Sequence, residues 1–99
     1  MIIIDQNESM AYNFDNVICI FKDQMHLESK QKDVYEIKLQ LTNLNTFVTI
    51  GDYDNLEDRD KVFMIISKLL GKSDIEYITL PENNHEFLNK EYFPAFSAL

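Results

Sequence analysis

The sequence predicts an α+β domain: a mostly antiparallel sheet of about four to five strands with one amphipathic helix, then a further strand and a C-terminal tail. Two patterns carry this prediction. Tyr35, Ile37, Leu39 and Leu41 alternate with Glu36, Lys38 and Gln40, the period of two of a half-buried strand. Val62, Phe63, Ile65, Ile66, Leu69 and Leu70 recur at helical spacing and make one broad apolar face.

In chain order, Met1 to Asp5 is a β-branched run bounded by Gln6-Asn7-Glu8-Ser9, and reads as a first strand. Met10-Ala11-Tyr12 is a second short extended piece, and Asn13, Asp15 and Asn16 supply a turn. Val17-Ile18-Cys19-Ile20-Phe21 is apolar at every position, which predicts a strand covered on both faces, or a central one under the helix, in the middle of the core. Lys22 to Lys32 is polar and suits a hairpin loop with a frayed strand end. The alternating strand from Asp33 follows, then the turn residues Thr42-Asn43-Leu44-Asn45, and Thr46 to Ile50 returns as its antiparallel partner, ended by Gly51.

The helix is expected over about residues 55–70. Asn55 is a suitable N-cap, Glu57, Asp58 and Asp60 set negative charge against the positive end of the helix dipole, and Lys68, Gly71 and Lys72 mark the other end. Arg59, Lys61, Ser67 and Lys68 fall on its polar side. Ile75 to Leu80 has strand composition, stops at Pro81, and is expected to join the sheet. Residues 1–80 thus form the domain. Residues 81–99 form a tail carrying Phe87, Tyr92, Phe93 and Phe96, which either folds back over the sheet or projects as an interaction arm.

A chain of 99 residues suits one hydrophobic core. Seventeen Asp and Glu against nine Lys and Arg give a net charge of −8, which disfavours contact with nucleic acid or anionic lipid. The acidity serves solubility or docking on a basic protein surface. With Cys19 the only cysteine, no internal disulfide can form and no zinc cluster is expected. The N-terminus lacks the basic flank and apolar core of a signal peptide, and no window approaches the roughly 20 apolar residues of a membrane span, so a cytoplasmic location is expected.

Catalytic chemistry finds little support. His26 and His85 lie in polar stretches beside Glu28 and Glu86, where two solvated loop histidines explain them better than an acid–base pair. Cys19, inside an apolar run, reads as an inert core thiol. With Gly51 and Gly71 the only glycines, no phosphate-cradling loop can be built. No catalytic residue, metal or cofactor is therefore expected.

The densest acidic stretch is Asp52, Asp54, Glu57, Asp58 and Asp60. It lacks the glycine and the closing glutamate of an EF-hand loop. Three readings stay open: a helix start with dipole-complementary acids, a docking patch for a basic groove, or a weak cation site.

Met1-Ile2-Ile3-Ile4-Asp5-Gln6, Asn13-Phe14-Asp15-Asn16-Val17 and Ile50-Gly51-Asp52-Tyr53 together resemble a group of small proteins from low-GC Gram-positive bacteria and their phages. The resemblance covers roughly residues 1 to 70. It implies a layout similar to half of a pleckstrin-homology-like sheet, followed by an acidic-start helix, and an origin in mobile elements. By size and charge the chain looks like the anti-CRISPR and other anti-defence inhibitors. The expectation is a non-enzymatic inhibitor that binds a host defence protein through Asp52, Asp54, Glu57, Asp58 and Asp60. The alternative is a PH-like module that self-associates, as a homodimer, through Phe87, Tyr92, Phe93 and Phe96.

Overall fold

The computed structural model describes residues 1–42, 47–70 and 75–83. Among the described residues, two three-stranded sheets and one α-helix make an α+β fold. The first sheet holds β1 (Ile2–Ile4), β2 (Ala11–Asn13) and β6 (Tyr77–Thr79) in the order β2-β1-β6. β1 pairs antiparallel with β2, Ile3 opposite Tyr12, and parallel with β6, Ile3 opposite Ile78. The second holds β3 (Val17–Leu27), β4 (Lys32–Leu41) and β5 (Phe47–Tyr53), antiparallel throughout and in sequence order. Helix α1 (Leu56–Leu69) packs against β4 and β5.

The core draws on every layer. Ile3 and Ile78 come from the first sheet, Ile37, Leu39, Ile50 and Tyr53 from the second, and Val62, Ile66 and Leu69 from the helix. Ile37 and Leu39 of the alternating segment are fully buried and Tyr35 and Leu41 half-buried, so the period of two does point one set into the core, while Val34 and Glu36 on the other face are buried as well. β5 runs on through Gly51 to Tyr53. A Cβ at Gly51 would lie 2.8 Å from Leu80 Cδ2 and 3.1 Å from Tyr53 Cε2, which is why a side-chain-free residue stands there.

Asn55 caps α1 as its residue type predicts, accepting hydrogen bonds from the N–H groups of Glu57 (2.8 Å) and Asp58 (3.3 Å). Asp5 organises the β1–β2 connection. Its carboxylate accepts from Ser9 N–H (2.8 Å), Ser9 Oγ (3.0 Å) and Met10 N–H (3.3 Å), turning the chain back after one short strand.

Two expectations for the middle of the chain are corrected. Val17 to Phe21 is not the centre of the core, because β3 is an edge strand of its sheet and β4 is the central one. Ile20 packs against the core, whereas Ile18 is 59% exposed and Cys19 is exposed. An unbroken apolar run does not distinguish a buried strand from an edge strand that keeps one face inward.

Lys22 to Lys32 is not a loop either. β3 continues to Leu27, a 3-10 turn occupies Glu28–Lys30, Gln31 takes a left-handed conformation (φ 49°), and β4 starts at Lys32 opposite Leu27. Polar residues hold this hairpin together across the strands: Lys38 Nζ donates to Asp23 at 2.8 Å, and His26 Nδ1 lies 2.8 Å from Asp33. Asn43 to Thr46, Gly71, Lys72 and residues 84–99 of the tail lie outside the described residues.

Candidate functional site

The connection between β5 and α1 carries the five acids read from the sequence, and the structure assigns them different environments. Asp52 and Glu57 are exposed. Asp54 is exposed but engaged, with Lys32 Nζ at 3.0 Å from its Oδ1 and Asn83 Nδ2 donating to its Oδ2 at 2.7 Å. Asp58 is turned inward and 7% exposed. Asp60 is half-exposed and accepts from Arg59 Nε at 2.8 Å, with Lys22 Nζ at 3.5 Å. Burial pushes the Asp60 carboxyl up, but Arg59 and Lys22 outweigh it and hold it below its usual value. The five do not form one displayed patch.

Other polar groups join the exposed pair instead. A shallow groove beside Asp52 is lined by Gln6, Asn7, Asp52, Glu82 and Asn83. Its charged groups are both carboxylates and its other groups are amides. The groove therefore brings Asp52 together with Glu82, a residue that the sequence places in the tail, while Glu57 is exposed separately in the first turn of α1.

The groove is built by one side chain. Gln6 N–H donates to Ile50 O at 2.7 Å, its Nε2 donates to Asp52 O at 2.9 Å, and its Oε1 accepts from Asp52 N–H at 2.9 Å. The Gln6 amide thus satisfies the outer edge of β5 as another strand would, and it ties the loop after β1 to the second sheet. Asn83 adds a weaker contact, its Oδ1 accepting from Asp54 N–H at 3.4 Å.

Arg59 is not on the polar side of α1. It is 6% exposed, and its Nη1 donates to Asp23 O (2.7 Å) and reaches Glu36 O (3.3 Å), while the guanidinium lies 5.6 Å from the centre of the Tyr35 ring. The helix start is thereby fastened across β3 and β4 and cannot serve as a free cation.

Tyr53 lies buried under the same junction, its hydroxyl donating to Pro81 O at 2.8 Å. Burial, then the charges of Asp52 and Asp58, push its phenol far above the ordinary value of 10.0. Below about pH 10 Tyr53 is protonated in both folded and unfolded chains, so it adds no pH dependence there. Above it the unfolded chain loses its proton first, and stability falls by about 1.4 kcal/mol per pH unit from this residue. Tyr12, raised by burial and then by Asp5, acts in the same sense. Tyr53→Phe is expected to flatten part of this alkaline loss while costing about 1 kcal/mol at neutral pH through the lost hydrogen bond. Denaturant titrations on both sides of about pH 10 measure both effects.

His26 pairs with Asp33 in an exposed position on the β3–β4 hairpin, and Cys19 Sγ lies 3.6 Å from Gln40 Oε1. His85 lies outside the described residues, as do Phe87, Tyr92, Phe93 and Phe96. Among the described residues no cluster of three His, Cys, Asp or Glu side chains is arranged to hold a metal ion, and no helix is long and apolar enough to cross a membrane. No known family model matches the chain, and no curated protein sequence or solved structure matches it.

Proposed function

We propose that this chain acts by contact, as a non-enzymatic inhibitor of the phage or mobile-element kind that occupies a basic surface of a host defence protein in the host cytoplasm. One observation carries the reading: Asp52 and Glu82 are exposed in the groove and Glu57 is exposed at the start of α1, and no cation is among the described residues that line the groove. A net charge of −8 adds long-range attraction to a basic partner and repulsion from nucleic acid. Exposed carboxylates offer lysines and arginines the negative charge that phosphates otherwise supply.

Capture from a lysate of Gram-positive cells carrying defence systems tests this at about 0.1 M and 0.5 M salt, a range over which exposed charge contacts are screened. Recovery of one basic nucleic-acid-binding protein at the lower salt and its loss at the higher is the expected result. A partner held equally at both, or one that is acidic, contradicts the reading.

A further inference from the structure

β3 hydrogen-bonds to β4 alone among the described strands, so one edge of an eleven-residue strand without glycine or proline faces outward. The outward-pointing groups follow from four bonds. Asn16 O accepts from Thr42 N–H at 2.8 Å. Carried along the β3–β4 register and through its bulge at Val17 and Cys19, the alternation of antiparallel pairs makes Cys19–Gln40, Phe21–Lys38, Asp23–Glu36 and Met25–Val34 the hydrogen-bonded pairs. Two observations agree. Gln24 N–H bonds the Asp23 side chain (2.8 Å), and Asp52, opposite Glu36 on the far side of β4, turns its N–H and C=O away to Gln6. The N–H and C=O groups of Ile20, Lys22 and His26 therefore point away from the sheet.

Edge strands are normally protected by shortness, proline or charges that lean across the edge. Here the two central charges are tied back onto their own molecule. Lys22 reaches Asp60 at 3.5 Å and lies over the Phe63 ring, and Asp23 holds Lys38 at 2.8 Å. Beside them Ile18 and Met25 are 59% and 45% exposed.

We propose that the β3 edge pairs antiparallel with the β3 edge of a second copy, about a twofold axis through Phe21, making one continuous six-stranded sheet. Twofold pairing of a strand with itself puts the axis on a residue, because facing residues share a side of the sheet. An axis on Lys22 sets two ammonium groups opposite each other, and one on Asp23 sets two carboxylates; like charges so placed are destabilising. An axis on Phe21 opposes no like charges. It sets Ile20 against the second copy's Lys22 and Cys19 against its Asp23, and the bulge at Val17 and Cys19 ends the paired stretch at either side. It uses the N–H groups of Ile20 and Lys22 and leaves that of Gln24 to Asp23. The Phe21 rings then adjoin at the axis, each already edge-on to Phe47 at 4.9 Å.

The full chain is expected to dimerise measurably below millimolar concentration. Because each copy carries −8, dimerisation strengthens as salt rises, opposite to binding of a basic partner. Lys22→Pro removes an N–H that β4 does not use, so it is expected to keep the circular dichroism of the wild type and weaken dimerisation at least tenfold in light scattering. On a Cys19→Ser background, Phe21→Cys puts two thiols across a non-hydrogen-bonded pair, where Cα atoms approach to about 4.5 Å and a disulfide fits. Oxidation is expected to crosslink it at least tenfold faster than Ser29→Cys on the same background. A wild-type chain that stays monomeric at millimolar concentration, a dimer unaffected by Lys22→Pro, or equal crosslinking at positions 21 and 29 overturns the proposal.

Discussion

Replacing Arg59 with alanine is expected to destabilise the fold by about 2–4 kcal/mol, because a buried guanidinium with several partners leaves each of them exposed to loss. For a chain of this size that is a fall in Tm of roughly 10–25 °C. The change removes donors from Asp23 O and Glu36 O and the partner of Asp60, and it opens the space over Tyr35. Arg59→Lys is expected to recover less than half, since one ammonium cannot reach two carbonyls and a carboxylate from the same position. Thermal unfolding of the two variants beside the wild type measures this. Near-wild-type stability of Arg59→Ala would mean that α1 is held by its apolar face alone.

The second large effect is expected at Gln6. Gln6→Ala leaves the N–H and C=O of Asp52 without their partners at the joint between the sheets, at about 1–3 kcal/mol for the pair. Gln6→Glu is a sharper probe. At neutral pH it keeps the shape but loses the Nε2 donor and brings a carboxylate against Asp52 O. It is expected to be at least as destabilising as alanine there, and to recover in part near about pH 4, where a protonated carboxyl can again donate. Denaturant titrations of Gln6→Ala and Gln6→Glu at the two pH values separate the hydrogen bond from the packing. Equal behaviour of the two variants at both would contradict the role of the amide.

The elements with a clear period were legible in the sequence. The alternation from Tyr35 to Leu41 and the stripe from Val62 to Leu69 each point at a face, and Asn55 capped the helix it was expected to cap. What escaped was whatever depends on the far side of a strand. Val17 to Phe21 reads the same whether its second face meets protein or solvent, and only the strand order decides. The polar half of β3 owes its extension to partners five to fifteen residues away, such as Asp33 for His26 and Lys38 for Asp23, which no local propensity contains.

Part of the site was readable in principle. Arg59 stands three residues before Val62 and seven before Ile66, and Asp58 stands four before Val62 and seven before Ile65, so both lie on the apolar stripe rather than opposite it. Residue type had outweighed position. Gln6 had no such signal, because in a turn-like run of polar residues nothing marks the side chain that will satisfy a strand edge forty-six residues away. Asp52 and Glu57 emerged as displayed acids; Asp54, Asp58 and Asp60 are engaged by their own molecule or turned inward.

The exposed acids Asp52, Glu57 and Glu82 are proposed to bind a basic protein surface. The most direct test is the affinity of Asp52→Lys/Glu57→Lys/Glu82→Lys for the captured partner, measured against the wild type over a range of salt. Binding is expected to weaken by at least about tenfold, or 1.4 kcal/mol, with a flattened salt dependence, in a variant that keeps the wild-type circular dichroism and loses no more than about 1 kcal/mol of stability through Glu57→Lys in the first turn of α1. Unchanged affinity and an unchanged salt slope in a folded triple variant would contradict it.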